Sequence, residues 1–262
     1  MKEICRDLQE EQEALDSIVA PLSRKEWDTI TPFIGWSIKY EIAHLAFWDM
    51  AAKLAATDEQ AFRGLIESMF ASEEAYNESQ RELREADPAF VMEYWRRERK
   101  ALVDALAAKG PKDRIPWVGP TMSARSKATA RIMETWAHGQ DVADTLGIER
   151  EPTDRLRHVA HLGVTTFGWS HANRGLEVPD VAVRVELTGP SGDLWTWGPE
   201  DAEESIKGPA LDFCLVVVQR RHVEDTSLLV KGDVARNWML IAQAFAGPPV
   251  DGPRPGERVL RK

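Results

Sequence analysis

Apolar positions recur every three or four residues through most of the first two-thirds of the chain and every second residue from about position 181. That change of period separates a helical part from a mixed part. Over 3–19, Ile4, Leu8, Leu15 and Ile18 stand at near-helical spacing among Glu and Asp, which predicts an amphipathic surface helix. Pro21 and Thr31-Pro32 interrupt it. Ser37, after Gly35-Trp36, is an N-cap for a helix running to about Ala56. Asp58 opens a long polar helix to about Leu83. Asp87-Pro88 places a cap before a proline at the first helical position, and that helix ends before Gly110. The proline-punctuated stretch 111–123 reads as a loop. A helix over about 124–146 is stopped by Gly147, and Thr153 caps another that ends near Gly175.

Beyond this point Val181, Val183, Val185 and Leu187 alternate as in a strand. Gly189-Pro190-Ser191-Gly192 is a turn, and 194–197 is the returning strand. Pro209 to Arg221 reads as a buried helix, although its three consecutive valines also suit a strand. Residues 227–230 form a strand, 234–245 an amphipathic helix, and the tail from Gly247 is irregular. The expected organisation is two-domain α+β: a helical domain over 1–175, a linker near Glu177–Asp180, and a smaller α+β domain over 181–262.

Composition narrows the function classes. The 262 residues are 43% hydrophobic, enough for two cores, and the net charge is -10. Nucleic-acid binding needs clustered Lys and Arg to replace phosphate counterions, and no such stripe appears. The most apolar run, Phe213 to Val218, is too short to span a bilayer. The only two cysteines, Cys5 and Cys214, exclude a disulfide framework or a cysteine zinc ribbon. With no apolar leader, they point to a cytoplasmic protein with neither nucleic acid nor membrane as partner. No GxSxG, Walker or dinucleotide motif is present.

The chemistry concentrates in a few residues. Glu134 and His138 are four apart on one predicted helix, so a carboxylate and an imidazole share a face. His44 lies in the apolar stretch Ile42-Ala43-His44-Leu45-Ala46-Phe47-Trp48, where a buried imidazole needs a hydrogen-bond partner or a metal. Two imidazoles and a carboxylate suit zinc, with nickel or iron(II) as alternatives, and leave a coordination position open. Spacing alone more often marks an exposed Glu–His pair. Asp141, one turn beyond His138, is a candidate to orient an imidazole, and Trp48 a candidate pocket wall. His158 and His161 read as packing or surface residues, and neither cysteine is a good nucleophile.

The stretch Gly35-Trp36-Ser37-Ile38-Lys39-Tyr40-Glu41-Ile42-Ala43-His44-Leu45 resembles the first metal-ligand helix of the mycothiol-dependent maleylpyruvate isomerase family. That family belongs to the wider DinB/YfiT-like metal-binding helical bundles. Arg131-Ile132-Met133-Glu134-Thr135-Trp136-Ala137-His138-Gly139-Gln140-Asp141-Val142 resembles the second, and 212–221 with 228–233 is similar to the family's small C-terminal domain. The resemblance implies a DinB-like four-helix bundle followed by a small α/β domain of sterol-carrier-like fold. It puts the metal trio on His44, Glu134 and His138.

It further implies a low-molecular-weight thiol, mycothiol or another, acting with the metal on a small electrophilic substrate. The outcome is cis–trans isomerisation if the thiol leaves again, and thiol transfer if it does not. In the family an arginine after the buried apolar helix binds a substrate carboxylate. Here that position falls on Arg220 or Arg221, preceded by Gln219 where the family more often has glycine. Two rivals stand beside this reading: a metal-binding sensor or interaction module without turnover, and hydrophobic-ligand binding by the C-terminal domain.

Overall fold

The computed structural model describes residues 1–258. Contacts group the chain into two compact units, Met1–Leu146 and the remainder from Gly147. The first unit contains α1 (Lys2–Val19), the short α2 (Arg24–Trp27), α3 (Ile38–Thr57), α4 (Glu59–Met69), α5 (Glu73–Glu85) and α6 (Pro88–Ala107). A two-stranded hairpin of β1 (Arg114–Ile115) and β2 (Met122–Ser123) then leads into α7 (Ala124–Leu146).

Sequence chemistry sets the helix ends. The Ser37 hydroxyl accepts from the Tyr40 amide at 3.3 Å, and the Asp87 carboxylate accepts from the Ala89 amide at 3.0 Å. The single helix expected over 58–83 is two helices. Ser72 competes for the role of N-cap, accepting from the Ala75 amide at 3.0 Å, and so starts a new helix after Phe70 has ended the first.

The four long helices pack as neighbours in a ring: α3 on α6, α6 on α1, α1 on α7 and α7 on α3. Two apolar clusters fill it. One contains Leu15, Ile42, Leu45, Met92 and Trp95, and the other Leu8, Ala52, Leu102, Ala128 and Ile132. Among them sits one polar knot. Asp49 of α3, wholly buried, accepts from Gln12 of α1 at 3.2 Å, Trp95 of α6 at 3.1 Å and Arg131 of α7 at 2.8 Å. One carboxylate thereby ties all four long helices and satisfies the Trp95 N–H that burial would otherwise strand.

The second unit comprises α8 (Leu156–Thr165), α9 (Phe167–Ala172), β3 (Val183–Thr188), β4 (Leu194–Trp197), β5 (Glu204–Pro209), α10 (Ala210–Val217), β6 (Leu229–Lys231) and α11 (Asp233–Ile241). The strand order is β4-β3-β5-β6, antiparallel except for the parallel β3–β5 pair. α10 packs on α8, β3 and β5, and α11 on α9, β5 and β6. Gly163 of α8 faces Phe213 and Val217 of α10 so closely that a Cβ there would lie 2.8 Å from Val217 Cγ2. α8 and α9, which the helical period joins to the first part of the chain, therefore pack on α10 and α11 of the second unit. The break between them falls at Thr166, where a single helix to Gly175 is expected.

The sequence pattern omits β5, because Glu-Ser-Ile-Lys-Gly-Pro has no alternation. It is a strand because β3 supplies a parallel ladder, Val185 beside Ile206. The segment 209–221 resolves as helix α10. No helix among the described residues is long and apolar enough to cross a membrane.

Candidate metal centre

The three residues expected as metal ligands come together within the first unit. His44, from the middle of α3, and Glu134 and His138, one turn apart on α7, offer ligand atoms that all lie within 4.8 Å of one another. Glu134 Oε2 is 3.3 Å from His138 Nε2 and 3.8 Å from His44 Nε2. Ligand atoms around one small divalent ion with bonds of about 2.0–2.2 Å stand roughly 3–4 Å apart, so the spacing is of the right size. His44 Nδ1 is buried and has no hydrogen-bond partner among the described residues. The nitrogen that faces Glu134 is the other one, Nε2.

A carboxylate not singled out from the sequence completes the arrangement. Glu41, wholly buried on α3 one turn before His44, accepts the His138 Nδ1 proton at 2.7 Å. Its other oxygen accepts from the Thr31 hydroxyl at 2.6 Å. This orients the His138 ring and turns Nε2 toward Glu134, as a carboxylate commonly orients a ligand imidazole. Asp141, the expected candidate for that task, is 3.9 Å from His138 Nδ1. Glu41 wins because α3 crosses α7 at that point. The available signal was a carboxylate inside an apolar helical stretch, which burial makes costly without a partner.

The electrostatics follow from the contacts. Burial pushes His44 down to about 4, so it is a neutral imidazole at neutral pH. Burial also acts against charge on His138, but hydrogen bonds to Glu134 and Glu41 outweigh it and lift the group to about 9. Glu134 is opposed by burial too, yet hydrogen bonds from His138 and His44 hold it well below the ordinary carboxylate range.

Aromatic rings surround the trio. Trp36 stacks parallel to His138 at 5.9 Å between centroids and lies 5.0 Å from His44, and Phe33 meets His138 edge-on at 5.3 Å. Both come from the turn before α3, which closes through the Thr31 amide bonding the Trp36 carbonyl at 2.7 Å. That closure needs positive φ at Ile34 and Gly35, 42° and 77°. Glycine adopts this freely, whereas β-branched Ile34 is strained, about 1–3 kcal/mol for such a backbone. Trp48, one turn after His44, lies 6.3 Å from it and 5.4 Å from Trp117, so it is half-buried wall as well as core.

The other candidates lie in the second unit. Arg220 and Arg221 follow the end of α10 and are buried rather than solvated, with Arg220 donating to the Val218 carbonyl and Arg221 to the Arg220 carbonyl. His161 Nδ1 accepts from Trp197 Nε1 at 3.4 Å, and His171 pairs with the Phe167 carbonyl. Cys5 and Cys214 are buried thiols, and burial pushes both upward, away from reactive thiolate.

Comparison with known proteins gives matches in sequence and in fold. A family model described as the mycothiol maleylpyruvate isomerase N-terminal domain matches residues 8–143, and one described as wyosine base formation matches 179–231. An uncharacterized protein of Mycobacterium tuberculosis, recorded in two strains, is 44% identical over 247 residues, covering 94% of this chain and 96% of its own length. A crystal structure of the mycothiol-dependent maleylpyruvate isomerase superposes with a TM-score of 0.55 at 17% identity. A histidine-to-alanine mutant of that enzyme superposes with 0.56 at 19%. Each alignment covers 82% of this chain and 87% of the other, and the likeness is one of fold. With a family model spanning more than half its length, the chain belongs to the mycothiol maleylpyruvate isomerase N-terminal domain family.

Proposed function

We propose that the protein binds one divalent metal, zinc in the first instance with nickel or iron as alternatives, through His44, Glu134 and His138. We further propose that it catalyses a thiol-dependent isomerisation or thiol transfer on a small electrophilic substrate. The ring of four long helices is then the family's DinB-like bundle, and the sheet unit its sterol-carrier-like partner. The observation that carries the reading is the convergence of three donor atoms within 4.8 Å, with the buried Glu41 aimed at the outer nitrogen of His138.

When bound, a divalent ion at such a site lowers the pKa of a thiol or water and holds its anion at neutral pH. The chain's own groups do the rest. Glu134 supplies the single negative charge and His44 a neutral nitrogen. Glu41 holds the Nδ1 proton of His138, and the Nε2 proton that faces Glu134 would have to leave for that nitrogen to bind an ion. Trp36 and Phe33 shield the imidazoles from bulk water. Arg220 and Arg221 extend the proposal to the second unit, where a guanidinium fork suits a substrate carboxylate.

Elemental analysis of protein purified without chelator tests the metal, with near one ion per chain expected and loss in both His44→Ala and His138→Ala. Full metal content in both variants overturns the ligand set. Turnover of a panel of electrophiles that depends on added mycothiol separates an enzyme from a metal-binding sensor.

A further inference from the structure

Lys127 is a wholly buried lysine on the first turn of α7. Its Nζ has no hydrogen-bond partner among the described residues. The amine lies 3.0 Å from the centroid of the Trp117 ring. A cation–π contact returns less than the cost of stripping water from an ammonium, and a ring face cannot satisfy three N–H donors. Burial accordingly pushes Lys127 down to about 5, with the positive charge of Arg131 pressing the same way. A solvent-exposed lysine would be cheaper at this position in every respect, so something other than packing has to account for the amine.

The surroundings point to what that is. Lys127, Arg131, Glu134 and His138 follow one another at helical spacing on a single face of α7. Lys127 is two turns before Glu134, about 10 Å along the helix axis. Trp48 connects the two places, touching His44 at one end and Trp117 at the other. Trp117 itself stacks on Phe62 at 5.7 Å and sits on the 116–121 loop of the hairpin, between β1 and β2, so the cover over the amine is loop and not helix.

We propose that Lys127 is an anion seat: its amine holds a carboxylate of a small ligand against the Trp48–Trp117 wall, two turns from the metal trio on the same helix face. The ligand class is a short carboxylate whose other end reaches the trio, and for that other end the inference rests on the metal-centred reading above. An arriving carboxylate raises the proton affinity of the amine, so the ligand and one proton from solvent bind together, and the resulting ammonium–carboxylate pair is strengthened by the dry aromatic wall.

The test is calorimetric titration of succinate into metal-loaded and metal-stripped protein, for the parent, Lys127→Met and Lys127→Arg. The expected result is binding to the parent in both forms, a loss of at least tenfold in Lys127→Met, and a smaller loss in Lys127→Arg. Equal affinity in parent and Lys127→Met overturns the proposal, as does absence of binding to the stripped parent. Binding that needs the metal and ignores Lys127→Met assigns the anion to the ion alone, which leaves the metal-centred reading standing. A protein that never takes up metal sinks that reading, while the stripped titration still decides Lys127.

Discussion

Glu41 Oε2 lies 2.7 Å from His138 Nδ1, which makes a carboxylate on α3 the orienting partner of an imidazole on α7. Loss of such a partner typically costs about 10–100-fold in metal affinity. Glu41→Gln is therefore expected to weaken metal binding within that range while the fold persists. Asp141→Asn, at 3.9 Å, is expected to change it by less than about threefold. Competition with a chromophoric chelator measures both. Equal effects of the two substitutions would show that Glu41 does not orient the ligand.

The Asp49 knot makes a second, independent prediction about stability. Removing one partner of a buried ion pair leaves the other charge stranded and costs about 3–5 kcal/mol. Asp49→Ala strands the Arg131 charge and also leaves the Trp95 N–H without its acceptor, since both donate to the same carboxylate. Urea denaturation should show a loss of this size, and a loss under about 1 kcal/mol would mean that the knot contributes little beyond packing.

Lys127 yields a pH-dependent expectation whose sign runs opposite to that of a paired lysine. Its folded pKa, about 5, is far below the ordinary value of 10.5. The unfolded chain therefore binds the extra proton, and the lysine destabilises the fold increasingly as pH falls from 10.5 toward 5. The penalty is absent above pH 10.5, and each unit below it is worth roughly 1.4 kcal/mol until the folded pKa is reached. Lys127→Met should raise the melting temperature at pH 7, by a gain on the order of a few kcal/mol, and the gain should shrink toward pH 10. A variant that melts lower than the parent at pH 7 would refute a neutral, uncompensated amine.

Two helical glycines should respond with opposite signs. At Gly163 an added Cβ meets Val217 and Phe213 at 2.8 and 3.0 Å, whereas at Gly64 nothing lies within 4 Å. Overpacking costs about 1–3 kcal/mol, against a helix-propensity gain of about 1 kcal/mol for alanine. Gly163→Ala is expected to lose about 1 kcal/mol net, and Gly64→Ala to gain about 0.5–1 kcal/mol. Chemical denaturation of both variants checks the pair. Stabilisation by Gly163→Ala would contradict the close α8–α10 packing.

The sequence by itself determined the long helices, since caps such as Ser37 and Asp87 and the 3.6-residue period act locally and need no partner. It also determined that Glu134 and His138 share a face, because four residues make about one turn. Family likeness carried by 35–45 and 131–142 added His44, which periodicity alone leaves as an isolated buried histidine. What the tertiary structure decided is everything that depends on two elements meeting. Glu41 becomes the partner of His138 only where α3 crosses α7. β5 exists as a strand because β3 lies beside it, and α8 joins the sheet unit because Gly163 lets α10 approach. Asp49 and Lys127 are both charged residues on helices, indistinguishable from solvated ones by spacing. Only packing reveals that one carboxylate satisfies three helices at once, while the amine is shut away with no counter-charge. A charge's role depends on what surrounds it in space, and the order of residues along the chain does not contain that information directly.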